Sequence, residues 1–204
     1  MPSGTAFLFL AIHLRYINTA EDGESLIPVI LCGDSSDSSI ANALIPALAR
    51  CGGVCYSGQG RVLAEGGGAR FFLVESDSVP KIGMQQGILL FKKNISRTDP
   101  AAVPPGFFCV LGSSNTGAMQ LLRGSGAAVV SCGTGPKDTL SLAGRESSCA
   151  AVSLQRNLVT LGGELLEPRD FRVELTAPRS TEQILLVGAV LLLSGDDPEN
   201  GYVV

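Results

Sequence analysis

The sequence predicts an α/β protein built on a doubly wound, mostly parallel sheet with a small antiparallel β-hairpin subregion. Three observations predict it. Continuous apolar runs such as IPVILC, GILLF and FFCVL recur along the chain without the in–out alternation of a sheet that has one wet face, which is the pattern of strands covered on both sides. Polar turns and helically spaced segments separate them, giving the strand, helix, strand order of right-handed crossovers. Finally, 25 of the 204 residues are Gly, where about 14 would be usual at ~7%, and they fall where the apolar runs end.

In chain order, Ile27 to Cys32 is a buried strand closed by Gly33 and the polar run Asp34-Ser35-Ser36-Asp37-Ser38-Ser39. Ile40, Leu44, Ile45 and Leu48 have helical spacing over Ile40 to Arg50, which Cys51-Gly52-Gly53 stops, and Pro46 inside it predicts a kink. Val54 to Glu65 reads as short strands around Gly58-Gln59-Gly60, and Gly66-Gly67-Gly68 as a turn. Arg70 to Val74, Gly87 to Phe91, Phe107 to Leu111 and Ala127 to Cys132 are further covered strands, with a short helix Ala118 to Leu122 after the turn Gly112 to Gly117. From Thr139 the runs alternate, at Thr139 to Ala143, Ala150 to Arg156, Leu158 to Leu161 and Phe171 to Leu175, so antiparallel hairpins with one wet face are expected there. Ser180 to Ser194 opens on Ser180 and Glu182-Gln183, a helix N-terminal signal. It is apolar nearly all round yet shorter than the ~20 residues of a membrane span, so it reads as a core helix.

Composition excludes several classes. Fifteen Lys and Arg against nineteen Asp and Glu leave a net charge of -4 and no basic stripe, so a nucleic-acid partner is not expected. An apolar fraction of 45% excludes a disordered chain, and glycines without a short period exclude collagen-like and low-complexity chains. Cys32, Cys109 and Cys132 lie in or beside apolar runs, where a thiol acts as a small hydrophobe. Cys51 and Cys55 are the only close pair, and with a single histidine, His13, they do not complete a tetrahedral zinc site. Reduced cysteines in a cytoplasmic protein are the expectation. Residues 1–25 form a separate N-terminal segment ahead of a single α/β domain over 26–204. Its apolar stretch, Thr5 to Ile12, is too short to span a bilayer and lacks the preceding positive charge of a secretory signal. It reads as a segment docking on the domain, in preference to membrane contact through residues 5–17. The dinucleotide fingerprint Gly-x-Gly-x-x-Gly is absent after the first strand.

Five junctions say more than fold class. IPVILC leads into Gly33 to Ser39 and then a helix; FFLV ends in Glu75-Ser76-Asp77-Ser78; ILLF runs into Lys92-Lys93-Asn94-Ile95; Val110-Leu111 precedes Gly112-Ser113-Ser114-Asn115; and a late helix covers Thr181 to Leu193. In this order, over Ile27 to Gly195, they resemble the central, ATP-binding domain of the Mur ligase family, the amide-forming enzymes of peptidoglycan synthesis and their relatives. In that family the first strand feeds a phosphate loop of the form Gly-Thr-Asn-Gly-Lys-Thr-Thr. The resemblance therefore implies a P-loop-like fold, with a cofactor-binding loop at Gly33, Asp34, Ser35, Ser36, Asp37, Ser38 and Ser39 and magnesium-side groups at Ser38 and Glu75.

The departures bear on activity. A phosphate loop needs backbone N–H groups around the phosphates, a Lys on their oxygens and a hydroxyl on magnesium. Here the Lys position holds Asp37 and the second Gly position holds Ser36. At ~5 Å and an effective dielectric of ~20, each carboxylate facing a phosphate costs roughly 3 kcal/mol. The family's Asp-His step is replaced by Thr98-Asp99, and the chain shows no room for the family's substrate-binding and C-terminal domains. The expectation is a vestigial phosphate loop with no catalytic residue and no cofactor. The function expected is a non-catalytic binding, scaffolding or regulatory module, linked to cell-wall metabolism, with a protein partner or a second copy of itself. The alternative keeps ATP and magnesium in a ligase or nucleotide-binding enzyme completed by a partner chain or by Lys92, Lys93 or Lys137. Two further Gly-rich turns, Gly112 to Gly117 and Gly133 to Lys137, are candidate anion sites on the same grounds.

Overall fold

A computed structural model describes residues 26–95 and 103–204. The N-terminal segment 1–25, with the docking role expected of it, and the Thr98-Asp99 step lie outside the described residues.

Burial on both faces turns the apolar runs into strands. β1 (Ile27–Cys32) is buried at every position. The polar loop then leads to α1 (Ala41–Arg50), which runs on through Pro46 and presents Ala41, Leu44, Ile45 and Leu48 to the core. β2 (Val54–Gly58) and β3 (Arg61–Glu65) form a hairpin, followed by β4 (Phe71–Ser76), β5 (Gln86–Phe91) and β6 (Gly106–Gly112). α2 (Thr116–Leu122) and β7 (Ala128–Gly133) come next, then β8 (Leu140–Arg145) and β9 (Cys149–Leu154). β10 (Leu158–Val159) and β11 (Leu165–Leu166) make a separate small hairpin. β12 (Arg169–Glu174), α3 (Thr181–Leu193) and β13 (Tyr202–Val203) complete the chain.

Among the described residues eleven strands form one sheet, in the order β13-β12-β9-β8-β7-β6-β5-β1-β4-β2-β3. The run from β2 to β8 is parallel, and antiparallel pairing occurs at β2–β3, β8–β9 and β9–β12. The alternating segments after Thr139 thus extend the main sheet, and among the described residues only β10–β11 stands apart from it. β7 and β8 hold this extension by two parallel positions, Cys132 with Leu140 and Gly133 with Ser141.

α1 and α3 cover one face of the sheet and share one core with it, including Leu31, Leu73, Leu90, Val110 and Val152. α3 is buried from Ile184 through Leu193, which explains why it is apolar nearly all round: it packs against the sheet and α1 at once. Its start carries a full capping box between Ser180 and Gln183. α2 and residues around Val79, Ile82 and Val103 cover a smaller core on the other face, at Ile30, Cys32, Phe91 and Leu111. Among the described residues no helix is long and apolar enough to cross a membrane.

The connection from β1 leads to the β4–β2–β3 side of the sheet, whereas β5, its other neighbour, leads towards β6 and β7. The carboxyl ends of β1 and β5 therefore flank a topological switch point, the usual crevice for a ligand in an open α/β sheet.

Candidate functional site

The polar loop Gly33 to Ser39 sits at this switch point. Gly33 turns the chain out of β1 at φ +136, where a Cβ would lie 2.8 Å from Lys92 Cβ and 2.9 Å from the Asn94 carbonyl oxygen. Only glycine fits such a position. The Gly33 and Asp34 N–H groups donate to the carbonyls of Ser76 and Asn94 at 2.9 and 2.8 Å, fastening the loop to the ends of β4 and β5.

Three of the remaining N–H groups meet carboxylates. Ser35 N–H donates to Asp77 Oδ1, Ser36 N–H to Asp34 Oδ1 and Ser39 N–H to Asp37 Oδ1, each at 2.9 Å. Ser36 Oγ adds a 2.7 Å bond to Asp34 Oδ1, and Asp37 N–H donates to the Asp34 carbonyl at 3.1 Å. Six of the seven N–H groups from Gly33 to Ser39 are thereby bonded inside the fold. Hydrogen bonds from Ser36, Ser39 and Ser35 hold Asp34, Asp37 and Asp77, respectively, below the usual carboxylate range.

Two of the loop's carbonyls face a cation that stands just after β5. Lys92 directly follows β5, is 1% exposed, and sends its ammonium to the carbonyl oxygens of Asp34 and Asp37 at 3.1 and 2.7 Å. The same Nζ lies 3.3 Å from Glu75 Oε1. Asn115 holds the Lys92 backbone by donating from Nδ2 to its carbonyl at 2.9 Å. The Tyr56 hydroxyl is a near neighbour, since a Cβ at Gly58 would be 2.6 Å from it and 2.9 Å from Glu75 Cγ. Burial, then the Glu75 charge, pushes the Tyr56 phenol up. Among the described residues Tyr56 Oη and both Glu75 carboxylate oxygens are buried without a hydrogen-bond partner, and the Lys92 ammonium is the ion-pair partner of Glu75.

The two metal-side candidates are separated by function in this arrangement. Glu75 is the counter-ion of Lys92. The Ser38 hydroxyl accepts from Asn42 Nδ2 at 3.2 Å, and it does not cap α1, whose N-cap is Ile40 with no side-chain bond. Among the described residues no group of three or more His, Cys, Asp or Glu side chains is placed to hold a metal ion. Lys92, one of the three lysines considered as a supplier of missing groups, is turned inward. The sequence signal for it is a lysine set immediately after five buried strand positions, Gly87 to Phe91.

Outside the loop an open cleft of about 410 Å³ is lined by Asp34, Asp77, Lys93, Asn94, Ile95 and Gly117. A second concavity, of about 430 Å³, lies on the β8–β9–β12 end, with Arg145, Cys149, Phe171 and Arg172 in its wall. The other two Gly-rich turns are also filled from within. Gly135 N–H donates to Asp138 Oδ2 at 2.9 Å, and Asn115 Oδ1 accepts from Ala118 N–H at 3.1 Å. All six cysteines are free thiols, and burial pushes those of Cys32 and Cys109 up to about 12.

The donor set at the loop is the inverse of the one a polyphosphate with magnesium requires. Three of its N–H groups are taken by aspartate carboxylates and three by carbonyls, and two of its carbonyls face an ammonium, so the residues present do not fit Mg-ATP in the manner of a phosphate loop.

A sheet of this order, with a loop-to-helix crossover at its switch point, is an α/β domain of the Mur ligase fold. Its likeness to particular solved structures is measurable. With UDP-N-acetylmuramoyl-L-alanyl-D-glutamate–2,6-diaminopimelate ligase it shares 13% identity at a TM-score of 0.56, covering 91% of this chain and 47% of that one. With the UDP-N-acetylmuramate:L-alanyl-gamma-D-glutamyl-meso-diaminopimelate ligase of Neisseria meningitides the values are 12% and 0.50, covering 96% and 72%. A murein peptide ligase of Psychrobacter arcticus gives 7% and 0.50, covering 95% and 50%. The chain spans about half the length of the first of these, and at such identities the likeness is one of fold. No protein-family model and no curated protein sequence matches the chain.

Proposed function

We propose that this chain is a Mur-ligase-like domain that does not hydrolyse ATP and acts in the cytoplasm as a non-catalytic binding, scaffolding or regulatory module. The link to cell-wall precursor metabolism comes from the names of the structures that share its fold. One observation carries the reading: the Lys92 ammonium sits inside the loop against Asp34 O, Asp37 O and Glu75. A phosphate would have to displace three aspartate carboxylates from loop N–H groups and then face them as like charges. At an effective dielectric of ~20 and ~5 Å each such pair opposes binding by roughly 3 kcal/mol, more than the ~1 kcal/mol net that a hydrogen bond returns.

Isothermal titration and thermal-shift measurements with Mg-ATP test this directly. The expected outcome is no saturable heat and no rise in Tm at millimolar nucleotide. Micromolar binding with phosphate release would overturn the reading.

A further inference from the structure

β3 closes one edge of the eleven-stranded sheet, and among the described residues its backbone pairs only with β2. The turn before it settles which of its backbone groups face outward. Gln59 and Gly60 both have positive φ, 50 and 70, as a two-residue type I′ hairpin requires. Gly58 opposite Arg61 is then the closing, hydrogen-bonded pair, and bonded pairs alternate along the hairpin with non-bonded ones. Tyr56–Leu63 and Val54–Glu65 fall in the bonded set, so the N–H and C=O groups of Val62 and Ala64 point away from β2 towards the open edge. Side chains alternate too. Leu63 packs on the core that contains α1, and Arg61 and Glu65 share its face. Val62 and Ala64 take the other face, where Val62 is 81% exposed.

We propose that this edge pairs with a second copy of the same chain, β3 antiparallel to its counterpart about a two-fold axis at Leu63. The backbone permits that register and the charges select it. It sets Val62 opposite the partner's Ala64, so that the outward N–H and C=O groups of both exchange hydrogen bonds at two symmetry-related positions. It also sets Arg61 opposite the partner's Glu65 and Glu65 opposite the partner's Arg61. Among the described residues neither side chain has an ion-pair partner within its own chain. An axis moved by one residue, to Val62 or Ala64, keeps the backbone match but sets Arg61 opposite the partner's Leu63 or Gly67, and both ion pairs are lost. Charges on an edge strand ordinarily keep other strands away. Here they are opposite in sign and symmetric about Leu63, so they repel foreign edges and accept their own copy. The axis is normal to the sheet, which leaves both α1 helices on one face and joins two sheets into one. Five residues of edge bury little area, so the dimer is a weak one.

Sedimentation velocity of the full chain over a concentration series tests the pairing. The expected result is a concentration-dependent monomer–dimer equilibrium. Arg61→Glu makes the edge wholly acidic and Glu65→Arg makes it wholly basic, and each should weaken self-association about tenfold or more. An equimolar mixture of the two variants should dimerise again, because every charged position then faces its opposite. Val62→Pro removes an outward N–H that β2 does not use, and it should abolish the dimer while the circular dichroism spectrum is kept. A wild-type chain that stays monomeric up to millimolar concentration would overturn the proposal. So would a dimer that neither charge reversal weakens, or a variant mixture that does not recover it.

Discussion

Lys92 places a full positive charge where water does not reach, its side chain 0% exposed against 1% for the Glu75 carboxylate. Such a pair is held by mutual neutralisation, and losing one member leaves the other as an uncompensated buried charge, at a cost of about 3–5 kcal/mol. Lys92→Met keeps the length of the side chain and removes its charge and its bonds to Asp34 O and Asp37 O. A loss of about 3 kcal/mol or more in urea unfolding is expected. Lys92→Met combined with Glu75→Leu should regain most of it, because no charge is then left unpaired. A single variant within about 1 kcal/mol of wild type would mean that the pair contributes no more than an exposed one does.

The loop from Gly33 to Ser39 is an element held by ionised carboxylates, and its stability follows their titration. Asp34, Asp37 and Asp77 each titrate lower in the folded chain than in the unfolded one. Each therefore contributes stability that is complete above the ordinary aspartate pKa of about 3.9 and disappears as pH falls through the lowered folded values. Hydrogen exchange read amide by amide should show Ser35, Ser36 and Ser39 losing protection across that acid window while the amides of β1 keep theirs. Protection at these three amides that fell only together with that of β1 would show that ionised carboxylates are not what holds the loop. The position of this loop was legible in the sequence, because a run buried on both faces followed by six polar residues and a helical period admits few other readings. What fills the loop was not. Lys92 is 55 residues from Asp37 and Asp77 is 42 from Ser35, and they arrive only because β5 and β4 both pair with β1. The same non-local pairing hid the place of β8, β9 and β12 in the main sheet, whereas α3 and the covered strands declared themselves by their continuous apolar runs.

Across the whole molecule, the helical layer is tied to the sheet by Arg70, which stands just before β4. Its guanidinium bonds the Cys51 carbonyl at the end of α1 at 3.0 Å and the Ser194 carbonyl at the end of α3 at 2.7 Å. It also pairs with Asp196 at 2.7 Å and lies over the Phe71 ring. A cation shared by two helix C-termini meets both macrodipoles favourably and satisfies carbonyls that the helices leave open. Asp196 in turn joins the last strand to this clamp, since the Tyr202 hydroxyl donates to its carbonyl at 2.7 Å. Arg70→Ala should cost about 2–4 kcal/mol, a buried-pair loss discounted for the partial exposure of both side chains, 21% and 17%. Arg70→Lys should recover little of it, because one ammonium does not span three acceptors in a fixed fork. The penalty should depend on pH. Burial already pushes the Asp196 carboxyl up against the opposing pull of Arg70, and without Arg70 it rises further. A carboxyl whose folded pKa is raised destabilises the fold in full above that value, and the penalty fades as pH falls from there to the ordinary aspartate pKa of about 3.9. Urea unfolding of wild type and Arg70→Ala at pH 7 and again at pH 4, close to the ordinary aspartate pKa of about 3.9, should therefore show a smaller difference at the lower pH. An equal difference at both would mean that the lost bonds to Cys51 and Ser194, and not the stranded Asp196 charge, account for the whole effect.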